Sequence, residues 1–113
     1  MIQRNKYVEK VVSYVRENPG DGLKVSDLLD MVPWSRRALE LAFKAETGMT
    51  VHQFIIRARV ERMTELMAQG LTPTEAADEL GTDYNTIARN FKTLTGLTPA
   101  EYSEKHTLLS DPR

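Results

Sequence analysis

Residues 22 to 54 and 70 to 102 repeat one another at a shift of 48 positions without a gap, in a chain of only 113 residues. Gly22-Leu23 returns as Gly70-Leu71 and Phe43-Lys44 as Phe91-Lys92. Thr47-Gly48-Met49-Thr50 returns as Thr95-Gly96-Leu97-Thr98, and Phe54 as the aromatic Tyr102. The chain therefore reads as two copies of one supersecondary unit.

Each copy reads as two helices and the beginning of a third. In the second copy, Thr72-Pro73-Thr74-Glu75 offers an N-cap, a proline at the first helical position and a glutamate able to complete a capping box. The helix that starts there turns Ala76, Ala77 and Leu80 inward and stops at Gly81; Leu28, Leu29 and Val32 do the same in the first copy, ahead of Pro33. Ser35 and Asp83, at equivalent positions, are N-caps for the second helices. Ala38, Leu39, Ala42 and Phe43 face inward on one of these helices, with Arg37, Glu40, Leu41 and Lys44 outward. On the other, Ile87 and Phe91 face inward and Asn85, Ala88, Arg89 and Lys92 outward. Gly48 and Gly96 end them, and Thr50-Val51-His52-Gln53 and Thr98-Pro99-Ala100-Glu101 each open the next helix with a capping box.

Between the copies, Phe54, Ile55, Ala58, Met63, Leu66 and Met67 keep near-helical spacing, so residues 51–69 read as one long connecting helix. Val8, Val11, Val12 and Val15 mark an opening helix from Tyr7 to Glu17. The expected fold is all-α: seven helices and no strand, in two helix-turn-helix subdomains of tandem, homeodomain-like form. The boundaries expected are 1–50, a linker helix 51–69, 70–107, and a frayed tail over 108–113.

Bulk properties narrow the function classes. No cysteine is present, which removes disulfides, thiolate metal sites and a cysteine nucleophile together. His52 and His106 stand alone, with no clustered carboxylate, so neither metal binding nor acid–base catalysis has a constellation. Ser35 is explained by its cap. An enzyme is not expected, nor a cofactor or a small-molecule site. No apolar run suggests a membrane span or signal peptide, and a cytoplasmic location is expected. The formal net charge is −1 and the pI about 6.1, so no global positive field announces a nucleic-acid partner.

Local charge is less even. Acids gather on the first helix of each unit (Asp27, Asp30; Glu75, Asp78, Glu79), whereas Arg36, Arg37 and Lys44 sit on one second helix and Arg89 and Lys92 on the other. Arg57, Arg59 and Arg62 form a further basic group on the connecting helix, where a solvated face would also account for them. A helix, a short turn and a second helix with a polar outward stripe is the helix-turn-helix plan, whose second helix enters the major groove. A helical bundle with its polar stripes in water would show the same pattern. The connecting helix favours DNA: nineteen residues span about 28 Å at about 1.5 Å per residue, near the ~34 Å between successive major-groove faces.

Ser35-Arg36-Arg37, the spacing from Leu39 to Phe43-Lys44, Thr47-Gly48 and the Arg59 region, followed by Phe91-Lys92, Thr95-Gly96 and Thr98-Pro99-Ala100-Glu101-Tyr102, resemble the DNA-binding domain of the AraC/XylS family of transcription regulators. The match covers Tyr7 to Lys105, and Ser35-Arg36-Arg37 looks most like the C-terminal domains of xylose regulators. The resemblance implies double-stranded DNA as partner, RNA polymerase as a second, and transcription activation by a monomer. It implies base contacts from Arg37, Glu40 and Leu41 in the first unit and from Tyr84, Asn85, Thr86, Ala88 and Arg89 in the second. The chemistry suits: arginine pairs with guanine, asparagine with adenine, glutamate accepts from cytosine, and leucine packs on a thymine methyl. Phosphate anchoring falls to Arg36, Lys44, Lys92 and the amide-rich helix starts at Thr50 and Thr98.

Two departures stand out. Leu41 and Ala42 occupy positions where members commonly carry basic residues, and Thr82-Asp83-Tyr84 forms a shortened turn without the family's aromatic. Glu40 could equally pair with Arg36, Arg37 or Lys44 on its own helix, and Leu41 could pack against a neighbouring helix. Trp34, just before a cap, reads as a core or staple residue. Two alternatives stay open: a protein-interaction module that keeps the fold but binds DNA weakly, and a DNA-binding piece of a longer sugar-sensing regulator.

Overall fold

The computed structural model describes residues 5–19 and 23–110, with side chains to Lys105. Gly22 of the repeat, the side chain of His106 and residues 111–113 of the expected tail lie outside the described residues. Among those described, seven helices and no strand are found: α1 (Lys6–Glu17), α2 (Val25–Leu29), α3 (Arg36–Thr47), α4 (Val51–Ala68), α5 (Pro73–Leu80), α6 (Tyr84–Thr95) and α7 (Pro99–Ser110). The all-α reading from sequence stands. The backbone of α7 is helical to Ser110, through three residues that the composition assigns to a frayed end. No helix among the described residues is long and apolar enough to cross a membrane.

The chain divides into two compact units, Met1–Ala58 and Arg59–Arg113. In the first, α1 turns Val8, Val11, Val12 and Val15 into the core with at most 1% exposure. Burial of each such side chain is worth about 1.5–3 kcal/mol, which outweighs the weak helix propensity of valine. Asn5 caps α1, its side-chain oxygen accepting from the Tyr7 amide at 2.8 Å, and its own amide donates to the Glu46 carboxylate at 2.9 and 3.0 Å. Trp34 is half-buried against this core and meets Tyr7 edge-on at 5.3 Å, the packing role expected of it.

The two copies differ most in their first helices. In α5, Thr72 and Glu75 form the expected capping box, and Gly81 ends the helix in the left-handed region (φ 70°) with Thr82 N–H returning to Ala77 O at 3.1 Å. The position of Gly81 is taken in the first copy by Pro33. A proline cannot provide that turn, and it disfavours helical geometry at Val32 before it. Helix α2 accordingly stops at Leu29, and the chain leaves it through the shorter bonds Met31 N–H to Leu28 O and Val32 N–H to Leu29 O. Val32 is still buried, as expected, whereas Leu29 is only partly so.

The second helices and the turns after them are close copies. Leu39 and Phe43 are fully buried on α3, as are Ile87 and Phe91 on α6; Ala38 and Ala42, expected inward, are half-buried at the edge of the apolar face. Thr47 donates its hydroxyl to Phe43 O at 2.8 Å and accepts from Met49 N–H at 3.1 Å; Thr95 does the same with Phe91 and Leu97 at 2.8 and 3.1 Å. Gly48 and Gly96 follow with φ 79° and 82°, a region that costs a side chain strain but glycine almost nothing.

Helix α4 is built into both units. Val51, Phe54, Ile55 and Ala58 belong to the first core, and Val60, Met63 and Leu66 to the second. Val51, Ile55 and Ala58, with Phe54 beside Ile55, keep helical spacing, as do Val60, Met63 and Leu66, but Ala58 and Val60 are two apart, which no single helical stripe contains.

Shortening Phe43 to alanine is expected to cost about 3–5 kcal/mol. The readout is a lower denaturant midpoint for the fluorescence of Trp34, the chain's one tryptophan. Phe91→Ala should lose stability on the same scale when followed by circular dichroism.

Candidate nucleic-acid interface

With Leu39 and Phe43 held inside, the opposite face of α3 is left to solvent. Arg36, Arg37 and Lys44 are exposed there, and Leu41 keeps 61% of its surface in water. Glu40 is half-buried. On α6 the same geometry exposes Asn85, Thr86, Arg89 and Lys92, with Ala88 half-buried among them. Tyr84 differs from its neighbours: its ring packs partly against the second core, so less of it faces outward than the sequence suggests.

The helix starts are closed by short polar caps. Ser35 Oγ accepts from Ala38 N–H at 3.2 Å. Asp83 accepts from the Thr86 amide at 3.1 Å and from the Thr86 hydroxyl at 3.3 Å, so that hydroxyl is already engaged within its own helix. The caps also give the two outward faces different charge at their leading ends. The first begins with a neutral serine followed by two arginines, and the second with an aspartate followed by Tyr84 and Asn85.

The starts of α4 and α7 are less open than the sequence implies. At α4, Thr50 N–H donates to Gln53 Oε1 at 2.9 Å and Gln53 N–H to Thr50 Oγ1 at 3.0 Å. Val51 N–H donates to Glu40 Oε1 at 3.2 Å. At α7, Thr98 and Glu101 form the reciprocal pair at 2.9 and 3.1 Å, and Pro99 has no N–H to offer. Among the described residues, the amide of His52 in one copy and of Ala100 in the other is left without a protein acceptor. The capping boxes, and Glu40 at Val51, engage the others.

An open cleft of about 390 Å³ lies beside the α7 start, lined by Ala88, Arg89, Lys92, Thr93 and Thr98. It joins the outward stripe of α6 to the helix start that follows, and its charged lining is cationic. The Thr98 amide and hydroxyl and the nearby Lys92 charge hold the Glu101 carboxyl below the ordinary glutamate value, the backbone hydrogen bond being the largest cause.

The basic group on α4 is not a uniform surface. Arg62 pairs with Glu65 at 2.9 Å, an exposed contact of the kind worth about 0–1 kcal/mol. Arg57 is exposed and Arg59 half-buried, with the Arg59 Nε buried and without a hydrogen-bond partner among the described residues.

Three features of this surface are not among those singled out from the sequence. Thr93 lines the cleft one turn after Arg89, at the edge of the same stripe. The His52 and Ala100 amides carry no side-chain signal, and only a count of capping bonds finds them. The Glu40–Val51 contact spans eleven residues and two helices; its one trace in the sequence is that Ala88 and Pro99 replace both partners together in the second copy.

A family model described as "Helix-turn-helix domain" matches residues 28–105. The transcriptional regulatory protein HptR of Staphylococcus aureus is 24% identical over 100 residues, which are 88% of this chain. The chain spans about 40% of the length of the curated relatives it matches. The DNA-binding domain of AdpA, crystallised in complex with a target DNA, has the same fold at a TM-score of 0.85 and 22% identity, covering 94% of this chain and 97% of that one. The xylose-binding transcription activator XylR superposes at 0.78 with 28% identity, over 93% of this chain and 28% of its own.

Because Glu101 is held below its ordinary value in the folded chain, its ionised form contributes stability that is present above that ordinary value. The contribution is lost as pH falls through the depressed folded value. Glu101→Gln, which imitates Gln53 of the first copy, is expected to flatten this part of the acid-unfolding curve. Carboxyl NMR titration of Glu101 should show a midpoint below that of a free glutamate.

Proposed function

Because the chain belongs to the AraC-type helix-turn-helix family, we propose that it binds double-stranded DNA sequence-specifically and regulates transcription. In this reading a single copy inserts α3 and α6 into successive major-groove segments. The observation that carries it is the pair of outward stripes at equivalent positions, Arg37-Leu41-Lys44 and Asn85-Arg89-Lys92, both solvent-exposed over a fully buried phenylalanine.

The two stripes are suited to different bases. Arg89 and Arg37 offer bidentate donors to guanine, Asn85 a donor and acceptor to adenine, and Leu41 an apolar surface to a thymine methyl. Tyr84 and Thr86 flank Asn85 at the leading end of α6. Arg36, Lys44 and Lys92, with the helix starts at Thr50 and Thr98, supply phosphate contacts that position without specifying. The cleft beside Lys92 and Thr98 is where the backbone of the second half-site would run. Activation through contact with RNA polymerase belongs to the same proposal.

Selection of bound sequences from a random duplex library tests the reading, the expected result being one contiguous site with two boxes about a helical turn apart. Arg89→Ala should cost about 1–3 kcal/mol and relax preference at one base position. Lys92→Ala should weaken binding on all sequences alike and lower the salt slope by about 1. Equal loss from Arg89→Ala on selected and random duplex would remove its base-reading role.

A second reading is favoured by one observation, the 61% exposure of Leu41 where a polar reader is expected. An apolar residue so placed also suits a protein partner. It predicts no detectable DNA binding even at low salt, where counterion release helps most.

A further inference from the structure

Glu40 lies in the outward stripe of α3, where a carboxylate could accept from a cytosine amino group. Its side chain is instead turned toward the next helix: it is half-buried, and its Oε1 accepts the Val51 amide at 3.2 Å. Val51 is the first residue of α4 and is fully buried. Its N–H is one of the donors that a helix start leaves without an intrahelical partner, and burial without an acceptor would be costly.

The second copy gives an independent observation. The position of Val51 is taken there by Pro99, also fully buried, which has no N–H, and the position of Glu40 is taken by Ala88, which has no acceptor. Donor and acceptor are present together in one copy and absent together in the other. A base-reading carboxylate has no reason to vary with the residue that opens the following helix. An acceptor for that residue's amide does.

The geometry points to Glu40 as a positioning residue that fastens α3 to the start of α4 and reads no base, which leaves base recognition in the first unit to Arg37 and Leu41. This rests on the DNA-binding reading above. Glutamine can keep the contact, because its Oε1 accepts as the carboxylate does. It would also change a base reader, since glutamine pairs with adenine where glutamate accepts from cytosine.

The test combines site selection with melting. Glu40→Gln should select the same sequence as the parent chain and melt with it. Glu40→Ala should melt about 4–8 °C lower, and adding Val51→Pro, which rebuilds the Ala88–Pro99 pair of the second copy, should recover that loss. A switch from cytosine to adenine at one position in the Glu40→Gln selection overturns the proposal. So does a Glu40→Ala loss that Val51→Pro leaves in place. If the parent chain selects no sequence, the DNA-binding reading fails instead, and the melting cycle alone decides whether Glu40 holds α3 to α4.

Discussion

Phe43 and Phe91 have no exposed surface, and the outward character of both α3 and α6 follows from where these rings are held. Each meets an aromatic ring edge-on, Phe54 at 5.3 Å and Tyr102 at 5.1 Å, in contacts worth about 0.5–1.5 kcal/mol beyond the area they bury. The partner ring belongs to the following helix in both cases. One contact therefore sets the rotation of α3 or α6 about its own axis and ties it to the helix that follows. With the phenylalanine inward, the residues two and six positions before it and the one after it, Arg37, Leu41 and Lys44 on α3 and Asn85, Arg89 and Lys92 on α6, are turned outward.

Much of this was legible because it is local. Caps are short-range bonds, so Ser35, Asp83, Thr50–Gln53, Thr72–Glu75 and Thr98–Glu101 could be found by spacing, and all five are made. The buried stripes of α3 and α6 follow from periodicity for the same reason. What escaped is what depends on partners distant in the chain. Val60 looks out of register because α4 changes cores after Ala58. Tyr84 reads as a polar-face residue until the core beside it is known. Glu40 is committed by a helix that begins eleven residues later. The short α2 lies between these cases: Pro33 announces a stop, but only the missing left-handed turn explains why it comes as early as Leu29.

The net charge of −1 is a poor guide to a surface so unevenly divided. Asp78 and Glu79 are exposed on α5, while the outward faces of α3 and α6 carry Arg36, Arg37, Lys44, Arg89 and Lys92. Each third-helix start also holds one carboxylate, supplied differently. In the first unit Gln53 is neutral and the acid is Glu40, reaching across from α3. In the second the acid is Glu101 within the box itself. The two helix dipoles are thus met by equal charge from different positions.

The turns after α3 and α6 end on glycines whose dihedral angles differ by about three degrees, with the same threonine hydrogen bonds beneath them. A scaffold duplicated this closely separates what holds each unit together from what each unit presents outward. Position 41 is leucine and position 89 arginine over the same buried phenylalanine, the same capped start and the same turn. A single substitution at such a position changes the outward chemistry of one unit and leaves untouched the cap, the turn and the buried ring that it has in common with the other.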